Sequence, residues 1–160
     1  MQVVIRPLEE NDAKTSYVWR NDPDIWKYTG SSPDREITLA DELVWVKRVT
    51  NDDTCRRFAI LADGEYVGNI YLTNIHKDEA EYHIFIGNKE YMGKGVAMAA
   101  SQLIIEFARA ELALKRIVLK VRLKNVRAVK LYLALGFKVI VDGPDFLSMS
   151  LDLQELSRRK

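Results

Sequence analysis

The segment Tyr91-Met92-Gly93-Lys94-Gly95-Val96-Ala97 joins a stretch that reads as a strand to one that reads as a helix. Before it, Glu81, His83 and Phe85 alternate within Ala80 to Ile86, the period of a strand, and so share one face. After it, Val96, Ala100, Leu103, Ile104 and Phe107 follow the helical period. A two-glycine turn here lets the backbone approach a ligand closely, and the helix's first turn leaves amide N–H groups unpaired. With the helix dipole, those amides suit a phosphate or pyrophosphate. Two familiar phosphate loops fail on spacing. A Walker A loop needs four residues between its first Gly and Gly-Lys, then Ser or Thr, whereas five separate Gly87 from Gly93 and Gly95 follows Lys94. The dinucleotide fingerprint needs a small residue where this chain has Met98. On this segment alone, a glycine-rich connection without a ligand remains the alternative.

Around this turn the chain reads as an ordered series. Val3 to Arg6 is a short strand stopped by Pro7. Asn11 or Asp12 caps a helix to about Arg20, ended by Asp22-Pro23. Ile25 to Ile37, with Gly30 and Pro33, reads as a loop, and Thr38 opens a second helix with Leu39, Leu43, Val46 and Val49 in step. Phe58 to Ala62 and Tyr66 to Ile75 form a hairpin about Asp63-Gly64, and the polar turn His76-Lys77-Asp78 leads into the third strand. A helix from Val96 to about Leu114, a strand from Ile117 to Val121 and a helix from Asn125 to Leu135 capped by Gly136 follow. Phe137 to Val141 and Phe146 to Leu151 close the chain about Asp142-Gly143. The expectation is an α/β fold, a mixed sheet flanked by helices in the order β-α-α-β-β-β-α-β-α-β-β, as one domain over residues 1–160.

Composition narrows the partners. Against 24 Lys and Arg stand 23 Asp and Glu, a net charge of +1, so no global field attracts nucleic acid or an anionic membrane. The tail Arg158, Arg159, Lys160 reads as a solvated, frayed end. Cys55, the single cysteine, excludes an intramolecular disulfide and a thiolate metal cluster, and reads as a packed strand thiol rather than a nucleophile. No metal site is expected. Met1 to Arg6 is too short an apolar run for a secretory leader, and no stretch reaches the length of a membrane span, so a reducing cytoplasmic setting is expected.

A second constellation sharpens the first. Asn125 is a good helix cap, and Ala128 and Tyr132 follow it at i+3 and i+7 on the same face, ahead of Gly136-Phe137. A small residue between an amide and a phenol leaves room for an elongated ligand across the helix. With both motifs in view, the sequence resembles the GNAT acetyltransferase superfamily, in the subgroup of ribosomal-protein, spermidine and nucleotide-sugar acetyltransferases. Its pyrophosphate loop, Gln/Arg-x-x-Gly-x-Gly/Ala, is matched from Met92 to Ala97 except at Met92. Its Asn-x-x-Ala-x-x-Leu-Tyr-x-x-x-Gly-Phe motif is met in full by Asn125, Ala128, Leu131, Tyr132, Gly136 and Phe137.

The resemblance implies an N-acetyltransferase using acetyl-CoA, with the pyrophosphate on Met92, Gly93, Lys94, Gly95, Val96 and Ala97 and further coenzyme contacts at Asn125, Ala128 and Tyr132. It implies that Phe85, Ile86 and Gly87 lie where the strand splays from its neighbour and the pantetheine arm pairs with exposed backbone. Tyr132 matches the phenol that protonates the coenzyme sulfur, and a tyrosine is protonated at neutral pH. Glu81 occupies the position of the general base in several members. His83 and a water chain stay open as alternatives. Trp19, Arg20, Asn21, Tyr28 and His83 are expected to wall the acceptor site, with Arg20 on a substrate phosphate. The acceptor is expected to be a small-molecule amine, a nucleotide-linked amino sugar or a polyamine. A protein N-terminus, or a non-catalytic acyl-CoA-binding role, remains open, and the protein is expected to be a monomer or homodimer.

Overall fold

The computed structural model describes residues 1–29 and 33–159, with the side chains of residues 28, 29 and 157–159 outside it. The strands are β1 (Val3–Pro7), β2 (Arg56–Ala62), β3 (Glu65–His76), β4 (Glu79–Ile86), β5 (Arg116–Arg122), β6 (Lys138–Asp142) and β7 (Phe146–Asp152). The helices are α1 (Ala13–Arg20), α2 (Pro23–Thr29), α3 (Leu39–Thr50), α4 (Val96–Ala110), α5 (Val126–Leu135) and α6 (Leu153–Arg159). All seven strands form one sheet, ordered β1-β2-β3-β4-β5-β7-β6. Neighbours run antiparallel except β4 and β5, whose parallel pairing is the one that needs a crossover, supplied by α4. This is the mixed α/β architecture the periodicities predict.

Alternation along the strands divides the core. Ile60, Ile70, Leu72, Ala80, Tyr82, Ile117 and Met149 pack against Val96, Ala100 and Ile104 of α4. On the other face, Leu8, Ala13, Val46, Val49 and Ala59 join α1 and α3 to the sheet. Glu81, His83 and Phe85 point to this second face, since Ala80 and Tyr82 are buried on the first.

The elements depart from the sequence-based series in four places. The expected loop from Ile25 holds α2, because Pro23 sits at the first helical position, where its missing N–H costs nothing. Asp22 accepts there from the backbone N–H of Asp24 at 3.0 Å. Asp12 does not cap α1. Its carboxylate is gripped by Arg6 at 2.7 and 2.8 Å, and a 3-10 turn over Glu10–Asp12 precedes the helix. Cys55 lies in the turn before β2 rather than in a strand, half-buried, with Sγ 3.6 Å from Asp52 Oδ2. Arg158 and Arg159, expected in a solvated tail, belong to α6, while Gly30 and Lys160 lie outside the described residues.

Candidate active site

The sheet opens between β4 and β5. Only Glu79–Arg116, Ala80–Ile117 and Glu81–Val118 pair, although β4 continues to Ile86 and β5 to Arg122. β3 holds β4 through Ile86 and β7 holds β5 along its whole length, so each strand stays with its own half-sheet. From Tyr82 onward, one backbone edge of β4 has no strand beside it, at Phe85 and Ile86 as expected. Gly87 is different. Its N–H bonds Val67 O at 2.8 Å, and a Cβ there would lie 2.0 Å from the Trp19 ring, so it is the surface against which Trp19 packs.

Past β4, the turn closes through two left-handed glycines, Gly93 (φ 73°) and Gly95 (φ 85°). Packing does not explain them. A Cβ on Gly95 would meet nothing within 4 Å, and one on Gly93 only Arg127 Nη1 at 3.9 Å. The first α4 bond runs from Ala99 N to Gly95 O, leaving the amides of Val96, Ala97 and Met98 without an acceptor among the described residues. Val96 is buried and anchors the turn, while Met92, Gly93, Lys94 and Gly95 are exposed. Glycines bent into the left-handed region, clear space above them and unpaired amides fit a pyrophosphate. Arg127 adds a cation beside Gly93; it occupies an unspecified position of the second motif, so sequence spacing could not single it out.

α5 faces the opening from the α4 side of the sheet. Asn125 Oδ1 caps it, accepting from Ala128 N at 3.3 Å. Ala128 packs half-buried on the core. The Tyr132 ring meets Tyr82 edge-on at 5.6 Å and Phe137 at 5.9 Å. Among the described residues its hydroxyl takes no hydrogen bond, and burial pushes its pKa up to about 12. The phenol is therefore protonated throughout the neutral range.

The opposite face carries Glu81 at the last paired position of β4, at the fork of the opening. Glu81 Oε2 accepts from Asn74 Nδ2 at 3.0 Å, and His83 Nε2 lies 2.9 Å from Thr73 Oγ1 and 3.8 Å from Glu81 Oε2. Loss of hydration and the Arg57 charge lower the His83 pKa, while Glu81 acts to raise it. Thr73 and Asn74 belong to no motif, and only side-chain geometry reveals them.

Three expected acceptor residues are engaged internally. Arg20 Nη1 pairs with Glu42 Oε1 at 2.7 Å, a carboxylate fully removed from water that also accepts from Ser16 Oγ at 2.8 Å. The Arg20 guanidinium lies 5.2 Å from the Trp45 ring centroid, so it serves as counterion to a core carboxylate rather than facing a substrate phosphate. Asn21 clips the chain around Ile37 to α1 through Ile37 O and N, both at 2.8 Å. Trp19 is buried against Tyr66 and Phe85, at ring distances of 4.7 and 6.0 Å. Tyr28 lies on α2, and its side chain is outside the described residues. Beside Gly87, a groove of about 490 Å³ is lined by Trp19, Tyr66, Asp22, Glu65 and Glu90, with Lys89 paired to Asp22 and Asp24. Among the described residues no cluster of metal-ligating side chains forms, and no helix is long and apolar enough to cross a membrane.

Comparison with known proteins agrees with this arrangement. The model of the acetyltransferase (GNAT) domain matches residues 2–138. The spermidine N(1)-acetyltransferase of Escherichia coli K12 is 32% identical over 140 residues, covering 86% of this chain and 73% of that protein. Acetyltransferase PseH of Campylobacter jejuni is 25% identical over 144 residues, covering 90% of this chain and 88% of its own. The solved spermidine N-acetyltransferase of Vibrio cholerae, in complex with CoA and spermine, superposes with a TM-score of 0.85 at 25% identity, covering 96% of each chain. A sheet forked beside a two-glycine helix start, a family match over most of the chain and relatives of this kind lead to one conclusion: the chain belongs to the GNAT acetyltransferases and carries acetyl from acetyl-CoA to the amine of a small molecule.

Proposed function

We propose that the acceptor is a polyamine, acetylated on a primary amine at the fork between β4 and β5. The observation that carries this reading is the carboxylate-lined groove beside Gly87, while Glu81, at the fork on one face, and the buried phenol of Tyr132, on the other, supply the chemistry. Glu81 takes the proton that the acceptor ammonium must lose before its nitrogen can attack. A backbone N–H on the unpaired edge of β4 polarises the acetyl carbonyl. Tyr132 gives its proton to the departing sulfur. Bound acetyl-CoA supplies the thioester, its pyrophosphate held by the amides from Gly93 to Ala97 with Arg127 alongside.

Two observations favour a polyamine over a nucleotide-linked amino sugar. Arg20, the residue on which a substrate phosphate would rest, is committed to Glu42. The groove past Gly87 carries three carboxylates, Asp22, Glu65 and Glu90, against Lys89, which pairs with Asp22, so the charge of Glu65 and Glu90 is left to suit secondary ammonium groups. The spermidine acetyltransferases among the relatives point the same way.

An amine panel read by thiol release tests the proposal. Spermidine and spermine should turn over far faster than a uridine-diphosphate amino sugar or a peptide N-terminus, and a preference for either of the latter overturns the polyamine assignment. In the same assay Glu81→Gln should lower kcat by about a hundredfold at neutral pH, the deficit shrinking at high pH as the amine becomes neutral unaided.

A further inference from the structure

β3 and β4 lose register next to the fork. Tyr71 opposes His83, Leu72 opposes Tyr82 and Thr73 opposes Glu81, but the next matched pair is His76 with Glu79. Asn74 and Ile75 thus stand against Ala80 alone, and Asn74 takes a left-handed backbone, φ 48°. Strict alternation would send Asn74 to the face opposite Thr73. The bulge instead turns it back, so that its Nδ2 reaches Glu81 Oε2 at 3.0 Å while Thr73 Oγ1 meets His83 Nε2 at 2.9 Å. A non-glycine residue in the left-handed region carries a cost of about 1 kcal/mol or more, and bulges that re-aim side chains gather beside active sites.

Resting on the reading of Glu81 as the base, we propose that Asn74 and Thr73 are its positioning residues. Asn74 occupies Oε2 of Glu81, fixing the carboxylate plane and leaving Oε1 to face the amine. Thr73 fixes the His83 ring beside the carboxylate, with Nε2 3.8 Å from Glu81 Oε2. Among the described residues, the other charges on this face are Glu79 of β4 itself, Arg116, Lys120 and Arg122 of β5, which share the face of Val118, Asp152 of β7 opposite Arg116, and Arg57 of β2, which acts on His83. Arg116 is bound to Glu79 at 2.7 Å, and Lys120 lies over the Phe146 ring at 5.0 Å. Among the described residues, Asn74 is the side chain that hydrogen-bonds the Glu81 carboxylate.

Two substitutions separate orientation from folding. Asn74→Gly keeps the left-handed backbone and deletes the amide, and Asn74→Asp keeps the shape but sets a second carboxylate against Glu81. Both should fold with unchanged circular dichroism and bind coenzyme A as the wild type does. Asn74→Gly should lower kcat with spermidine about tenfold with little change in KM for acetyl-CoA. Asn74→Asp should move the acidic limb of kcat/KM upward by about one pH unit or more, since two adjacent carboxylates resist sharing charge. Carbon NMR titration of the Glu81 carboxyl should show the same upward movement without any turnover. Thr73→Val should change the ¹⁵N shifts of His83, which report its tautomer. Glu81 titrating identically in wild type and Asn74→Asp, with Glu81→Gln still slow, overturns this inference alone. Glu81→Gln at the wild-type rate overturns the base assignment as well.

Discussion

Burial treats the two ends of Tyr132 differently: its ring packs on Tyr82 and Phe137, while its hydroxyl takes no hydrogen bond among the described residues. Tyr132→Phe should therefore leave the thermal midpoint and coenzyme A affinity nearly unchanged. Single-turnover acetyl transfer should fall about ten- to a thousandfold, the range of a lost general acid, and in kcat more than in KM. Full single-turnover activity would make the phenol a core residue. Its raised pKa also carries a sign. The folded state holds the phenolic proton more tightly than the unfolded chain, so this contribution is complete below the ordinary tyrosine value and is lost as pH rises through about 12. The alkaline loss of stability should be smaller in Tyr132→Phe. Tyr132 was legible in the sequence because its helix carries a full motif. Arg20 and Asn21 were legible only as polar residues near a helix end. Their partners, Glu42 and the backbone of Ile37, lie 22 and 16 positions away, and only the docking of α1 on α3 brings them together.

The turn into α4 is the element whose form follows most directly from its residues. Gly93 and Gly95 adopt positive φ, and the space above Gly95 is clear. A Cβ at Gly95 meets no described atom within 4 Å, so the main folding cost of Gly95→Val is a β-branched residue forced into left-handed backbone, about 1–2 kcal/mol or more. Its cost to binding should be larger, because the side chain occupies the approach of the pyrophosphate. Calorimetry should show a marked loss of coenzyme A affinity in a variant that still unfolds cooperatively; unchanged affinity would remove this turn from the coenzyme site. Elements set by local chemistry were legible: the glycine turn, the Asn125 cap and the Asp63-Gly64 hairpin all occur as read. α2 was not, because Asp-Pro serves equally as a helix end and a helix start, and the docking of Lys89 on Asp22 and Asp24 is a tertiary fact. The bulge at Asn74 left only a faint mark, a single slip of phase in which Ile70 and Leu72 are followed by Ile75 rather than by an apolar residue at 74.

For the whole molecule, element order could be read from periodicity, but the sheet order β1-β2-β3-β4-β5-β7-β6 could not, because the insertion of β7 between β5 and β6 depends on pairings far apart in sequence. The short β4–β5 contact also leaves no mark on either strand's own pattern, as each remains fully strand-like beside its other neighbour. Hydrogen exchange should detect it. Amides of Tyr82 to Ile86 that face β5 should exchange faster than those bonded to β3, and should gain protection when coenzyme A is added. Exchange unaltered by coenzyme A would place the pantetheine arm elsewhere. Three rungs thus connect a four-stranded ladder to a three-stranded one, and a coenzyme arm lying in the fork would supply rungs that the polypeptide does not. Ligand occupancy then becomes part of the fold's own cohesion. At a concentration about a hundredfold above Kd, binding to the folded state alone adds about 2.7 kcal/mol, so the metabolite pool that feeds the reaction also sets how long the enzyme survives heat and proteolysis.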